Sequence, residues 1–74
     1  MWVETKGVIS KNFDFPDFKT ALEFVNKVGV LAEAVNHHPN IQLGWGKVII
    51  GLTSHDQGQV TEKDRNLAKE IDAL

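Results

Sequence analysis

The residues of this chain best suited to chemistry are its three histidines. His37 and His38 stand side by side, and His55 closes the apolar run that follows. Imidazole is the side chain that most readily gives and takes protons near neutral pH, so converging imidazoles can act as general acid and general base together. Thr53, Ser54 and Asp56 surround His55 with hydroxyls and a carboxylate able to orient a polar heterocycle. Glu33 lies four residues before His37, the helical spacing at which a carboxylate can hydrogen-bond a ring and raise its basicity. Three histidines with one open position would also suit zinc. Adjacent ligands on one backbone are awkward for that, and no second carboxylate–histidine pair supports it. The plainest alternative is a set of polar surface residues, with His38-Pro39 serving only as a helix stop.

Positioning these side chains falls to a short succession of elements. Residues 2–15, "WVETKGVISKNFDF", are rich in β-branched and aromatic types, and a turn near Lys6-Gly7 makes them a hairpin. Ile9, Phe13 and Phe15 fall on one face, and Val8, Ser10 and Asn12 on the other. Pro16-Asp17 suits a first helical turn. Phe18, Ala21, Leu22, Val25, Val28, Ala32 and Val35 then recur at helical spacing, which predicts a helix to about Val35. Gly29 interrupts that helix and suggests a close helix contact.

Asn36 and Pro39 bracket the paired histidines and end the helix, because proline cannot continue it and pushes His38 from the α region. "NIQL" reads as a short strand and Gly44-Trp45-Gly46 as a turn. "KVIIGLTSH" is the longest strand expected, central because it is apolar on both faces. After the loop "DQGQV", Thr61 caps a last helix with Asp64 at its third position, in a variant of the capping box. Leu67, Ala68, Ile71 and Leu74 form its apolar stripe. The order ββαββα predicts an α+β domain over residues 1–74, a four-stranded antiparallel sheet with both helices packed on one face. The phenylalanines Phe13, Phe15, Phe18 and Phe24 read as core, Trp45 as a lid, a partner contact or an exposed turn residue, and Lys47 and Lys63 as solvated.

Seventy-four residues lie near the lower limit for an unassisted core, and without cysteine neither a disulfide nor a thiolate zinc site can help. Self-association is the expected remedy. A net charge of −2 with scattered Lys and Arg argues against nucleic acid. No apolar run has the length of a membrane span, and "MWVETKG" lacks a signal peptide's order, so the expected location is the cytoplasm.

The stretch "EAVNHHPNIQLGWGKVIIGLTSHDQGQVTEKDRNLAKEID" resembles the pterin-4a-carbinolamine dehydratases. Their hallmark is His-His-Pro after the long helix, Thr/Ser-His at the end of the central strand, and a helix start ending in aspartate. Upstream, the tryptophan and "FDFPDFKTALEFVNKV" look like the family's second strand and long helix, so the resemblance covers nearly the whole chain. It implies a hydro-lyase that removes water from a 4a-hydroxytetrahydropterin, giving the quinonoid dihydropterin in tetrahydrobiopterin recycling. That chemistry needs an acid at the leaving oxygen and a base at the ring nitrogens, with no metal or organic cofactor, since the substrate is itself an oxidised pterin cofactor. By matching positions, His37, His38 and His55 would carry the proton transfers, His38 or His55 as acid and His37 in binding or as base. Asn36, His37, His38, Thr53, Ser54, His55 and Asp56 would line the pterin pocket, and Glu33 and Asp64 would orient the imidazoles from behind.

The departures are local. Family members usually have a further helix ahead of the tryptophan, which bears on the pocket's outer wall and on tetramer formation. Asn36 stands where aspartate is common, "LGWG" replaces an aromatic-Asn turn, and Gln59-Val60 replaces Gly-Leu; none of these touches a histidine. In similar proteins sheet edges pair across a dimer and helices join dimers into tetramers, so a homodimer or homotetramer is expected. Some relatives are non-catalytic interaction modules that bind a homeodomain transcription factor or assist assembly, and that is the alternative function. A metal-dependent hydrolase comes third.

Overall fold

The computed structural model describes every residue from Met1 to Leu74. Its elements are β1 (Val3–Thr5), β2 (Val8–Asp14), α1 (Phe18–Val35), β3 (Asn40–Leu43), β4 (Lys47–Leu52) and α2 (Glu62–Asp72). The four strands form one antiparallel sheet in the order β1-β2-β4-β3. Lys6 and Gly7, with φ of 53° and 79°, supply the two left-handed residues that a two-residue hairpin turn between β1 and β2 requires.

The register sorts the side chains. Ile9 pairs with Leu52, Lys11 with Ile50 and Phe13 with Val48, so these positions share one face of the sheet. Against it α1 packs Ala21 and Val28, and α2 packs Leu67, Ala68 and Ile71, in one contiguous core. Val48, Ile50 and Leu52 are fully buried, and burying each such side chain stabilises the fold by about 1.5–3 kcal/mol. The opposite, helix-free face carries Val8, Ser10, Asn12, Asn40, Gln42, Ile49 and Gly51. The expected α+β architecture and the central position of β4 are therefore observed.

Several boundaries differ from expectation. Pro16-Asp17 precedes α1 rather than starting it: Asp17 is extended, and its carboxylate accepts the Thr20 N–H at 2.8 Å as an N-cap. β4 stops at Leu52, leaving β2 the longest strand, because Ser54 turns inward to pair with Gln59 in an isolated bridge. Leu74 is half exposed, since α2 ends before it. Gly29 meets nothing within 4 Å of a Cβ placed on it, so no close helix contact explains it. Gly46 is different, because a Cβ there would lie 2.7 Å from the Phe15 carbonyl oxygen, and the Phe15 N–H donates to Gly46 O at 2.8 Å.

Asp72 at the end of α2 accepts the Trp2 indole N–H at 3.0 Å and the Lys11 ammonium at 2.8 Å. Trp2 also meets Phe13 edge to face, so it packs against the core. No helix is long and apolar enough to cross a membrane.

Candidate active site

The paired histidines are aimed by the way α1 ends. Asn36 adopts the left-handed conformation, φ 51° and ψ 45°, and its N–H donates to Glu33 O at 3.2 Å. The His37 N–H reaches back to Ala32 O at 3.1 Å. These two bonds form the Schellman pattern, in which asparagine is the usual substitute for glycine. The chain swings off the helix axis at Asn36, and consecutive side chains then leave the turn on different sides.

His37 points toward α2. Its Nε2 lies 2.5 Å from Asp64 Oδ1, and Asp64 is fully buried. The other carboxylate oxygen accepts the Ser54 hydroxyl at 2.8 Å and the Thr61 N–H at 2.8 Å, and the Thr61 and Ser54 hydroxyls lie 2.7 Å apart. Burial alone pushes the Asp64 carboxyl up. The hydrogen bonds from His37, Thr61 and Ser54, with the positive charge on His37, outweigh it and hold the group below the ordinary value of 3.8. Asp64 therefore stays ionised and acts only as an acceptor, so Nε2 of His37 carries the proton and donates it, leaving Nδ1 as the second ring position.

His38 points the other way. Its Nε2 hydrogen-bonds the Glu33 carboxylate, and both side chains are exposed. It enters a cleft of about 500 Å³ on the helix-free face of the sheet. Pro39, Thr53 and His55 line the cleft with it, and Ser10, Asn40, Gln42, Ile49 and Gly51 lie along its floor. His55 sits at the first corner of a tight loop closed by Ser54 N–H to Gln59 O at 3.1 Å and Gly58 N–H to Ser54 O at 2.9 Å. Thr53 is fixed by donating to Gly7 O at 2.7 Å.

The arrangement corrects several expectations about individual side chains. Two imidazoles, His38 and His55, share the cleft; His37 instead borders a separate hollow with Lys63 and Asn66. Glu33 pairs with His38 rather than His37, because the left-handed turn at Asn36 breaks the helical spacing on which the i,i+4 expectation relied. Ser54 is buried against Asp64 rather than lining the cleft, and Asn36 and Asp56 are exposed outside it. Diverging side chains also explain why no group of three or more His, Cys, Asp or Glu is gathered to hold a metal. The floor residues Ser10, Asn40, Gln42 and Gly51 were missed as site residues. The signal was present in the alternation of β2, whose outward positions Ser10 and Asn12 are polar, but which polar face carries a ligand is not written in a period of two.

Fold and site together define an α+β domain that presents two carboxylate–imidazole pairs from one helix end, one facing a cleft and one buried. This chain belongs to the pterin 4 alpha carbinolamine dehydratase family, whose family model matches residues 1–74. It is 48% identical over 73 residues to a "Putative pterin-4-alpha-carbinolamine dehydratase" of Sulfurisphaera tokodaii, covering 99% of this chain and 78% of that one. A protein of the same name from Roseiflexus sp. is 45% identical with the same coverage. Among solved structures, a transcriptional coactivator/pterin dehydratase from Brucella melitensis superposes with a TM-score of 0.90 at 32% identity, covering 99% of this chain and 78% of that one. A pterin dehydratase-like protein described as a RuBisCO assembly factor in the alpha-carboxysome gives 0.80 at 26% identity, over 99% and 84% of the two chains.

Proposed function

We propose that this protein dehydrates a 4a-hydroxytetrahydropterin to the quinonoid dihydropterin. In that reaction the C4a–O bond breaks, the ring nitrogen beside C4a loses its proton, a C4a=N double bond forms, and water leaves. An imidazolium protonates the departing hydroxyl and a neutral imidazole takes the nitrogen proton, so the two histidines exchange protonation states over one turnover. The observation that carries this reading is that His38 and His55 line a single cleft, with Glu33 hydrogen-bonded to His38. A carboxylate hydrogen-bonded to an imidazole fixes its tautomer and the orientation of its ring, which suits His38 to deliver a proton at a set position and leaves His55 as base. His37, held by Asp64, acts as a positioning residue that fixes the turn from which His38 projects. The chemistry is complete with protein side chains and substrate.

The test generates 4a-hydroxytetrahydropterin in situ and follows its dehydration spectroscopically, with and without the protein, and with and without a chelator. Acceleration that survives the chelator supports the proposal. A second reading, a non-catalytic assembly module, draws on the likeness to the alpha-carboxysome assembly factor and on Phe18, Leu22 and Val30, which α1 leaves exposed. Absence of acceleration would favour it.

A further inference from the structure

Gly51 occupies the middle of the cleft floor, and packing gives no reason for a glycine there. It lies inside β4, hydrogen-bonded between two neighbours, where glycine forfeits side-chain packing and weakens a strand. Its φ is outside the left-handed region, which Gly7 and Gly58 alone among the glycines adopt. A Cβ placed on it would meet Val8 Cγ1 at 3.6 Å, Asn40 Cβ at 3.8 Å and Asn40 O at 4.0 Å, all ordinary contacts. Backbone and neighbours would thus accept an L side chain.

The missing side chain leaves a notch. Directly across the register from Gly51 stand Ser10 on one side and Asn40 on the other, two strand spacings apart, or about 10 Å. Both face the cleft, as do Ile49 and Thr53, the residues two before and two after Gly51. Bare peptide planes at the bottom, polar groups on two sides and two imidazoles in the lining form a seat for a flat, polar heterocycle.

We propose that Gly51 determines what the cleft admits: the substrate's bicyclic ring rests against the sheet backbone in this notch, between Ser10 and Asn40, with its reacting edge turned toward His38 and His55. The Ser10 hydroxyl and the Asn40 carboxamide each offer a donor and an acceptor, which complement the amino and oxo groups of a pterin's pyrimidine edge. The inference rests on the dehydratase reading. A side chain at position 51 lifts the ring off the floor and away from the imidazoles, so it weakens substrate binding while leaving the fold sound.

The experiment compares Gly51→Ala and Gly51→Val with the wild-type protein and with Gly29→Ala, a glycine replacement on the far helix. Melting temperature, KM and kcat for in situ 4a-hydroxytetrahydropterin, and Kd for a 7,8-dihydropterin by fluorescence titration are measured for each. The expected result is a melting temperature equal to or above wild type in both variants. KM and Kd rise in the order Gly, Ala, Val, by at least tenfold for Gly51→Val, and Gly29→Ala leaves both unchanged. A folded Gly51→Val with wild-type KM and Kd overturns the inference. Should that variant fail to fold, unchanged constants in Gly51→Ala overturn it equally. A wild-type protein that neither binds the dihydropterin nor accelerates dehydration overturns the dehydratase reading and this one with it, whereas an active wild type matched by its Gly51 variants sinks this one alone.

Discussion

Asp64→Asn isolates the buried end of the site with almost no change in shape. The carboxylate accepts three hydrogen bonds, from His37, Ser54 and the Thr61 N–H. The amide oxygen can keep the two bonds at the Oδ2 position, but its nitrogen, itself a donor, then faces Nε2 of His37, and the bond from that N–H is lost. A bond to a charged acceptor contributes about 1.5–3 kcal/mol and a neutral one about 1, so three bonds lose roughly 3 kcal/mol in all, part of which returns because an amide is cheaper to desolvate. The expected net loss is about 2 kcal/mol, or about 8–16 °C in melting temperature for a domain of this size. The pH dependence follows from the depressed Asp64 pKa. A carboxyl bound more weakly by protons when folded stabilises the fold fully above its unfolded value, 3.8, and loses that contribution as pH falls through the lower folded value. Thermal melts of both proteins from pH 7 to pH 3 should show the full gap at pH 6, closing below about pH 4. Equal melting temperatures at pH 6, or a gap that ignores pH, would refute the buried-carboxylate account.

Other expectations are simpler to state. His38→Ala and His55→Ala should each lower turnover at least tenfold with circular dichroism unchanged, since a positioned acid or base is typically worth about 10²–10⁴; wild-type rates in both would remove these residues from the chemistry. Gly29→Ala, which meets open space, should raise stability by about 0.5–1 kcal/mol in chemical denaturation, and a loss would reveal a contact on that side of α1. Asp72→Ala breaks the link to Trp2 and Lys11 at the surface, so it should cost no more than about 1 kcal/mol, with Trp2 fluorescence reporting the released indole.

Two carboxylate–imidazole pairs one residue apart meet different solvents. Glu33 and His38 are wet, so protons can exchange there with water. Asp64 lies inside, tied to β4's end through Ser54 and to α2's start through Thr61. Ser54→Ala would therefore act through Asp64 and His37, on the geometry of the turn, rather than through direct contact with anything in the cleft.

Much of this protein is legible along the chain. The Lys6-Gly7 turn, the extent of α1 to Val35, β3 at "NIQL" and the capping aspartate Asp64 all follow from period, propensity and short-range hydrogen bonding, which depend on neighbours within a few residues. The acid–base character of the histidines and the family resemblance needed only the residue types and their spacing. What the chain alone left open were directions. A single left-handed residue, Asn36, rotates the backbone so that His37 and His38 part company, and helical spacing then mispairs Glu33 with the wrong ring. Ser54 turns inward because a buried carboxylate ten residues later needs its hydroxyl. Ser10, Asn40 and Gly51, drawn from three different strands, become neighbours only through register. The sequence determined the elements and the chemistry they could carry, through interactions local to the chain. Which side chains share the cleft was decided by packing and pairing between distant segments, because a side chain's direction is set by everything that closes around it.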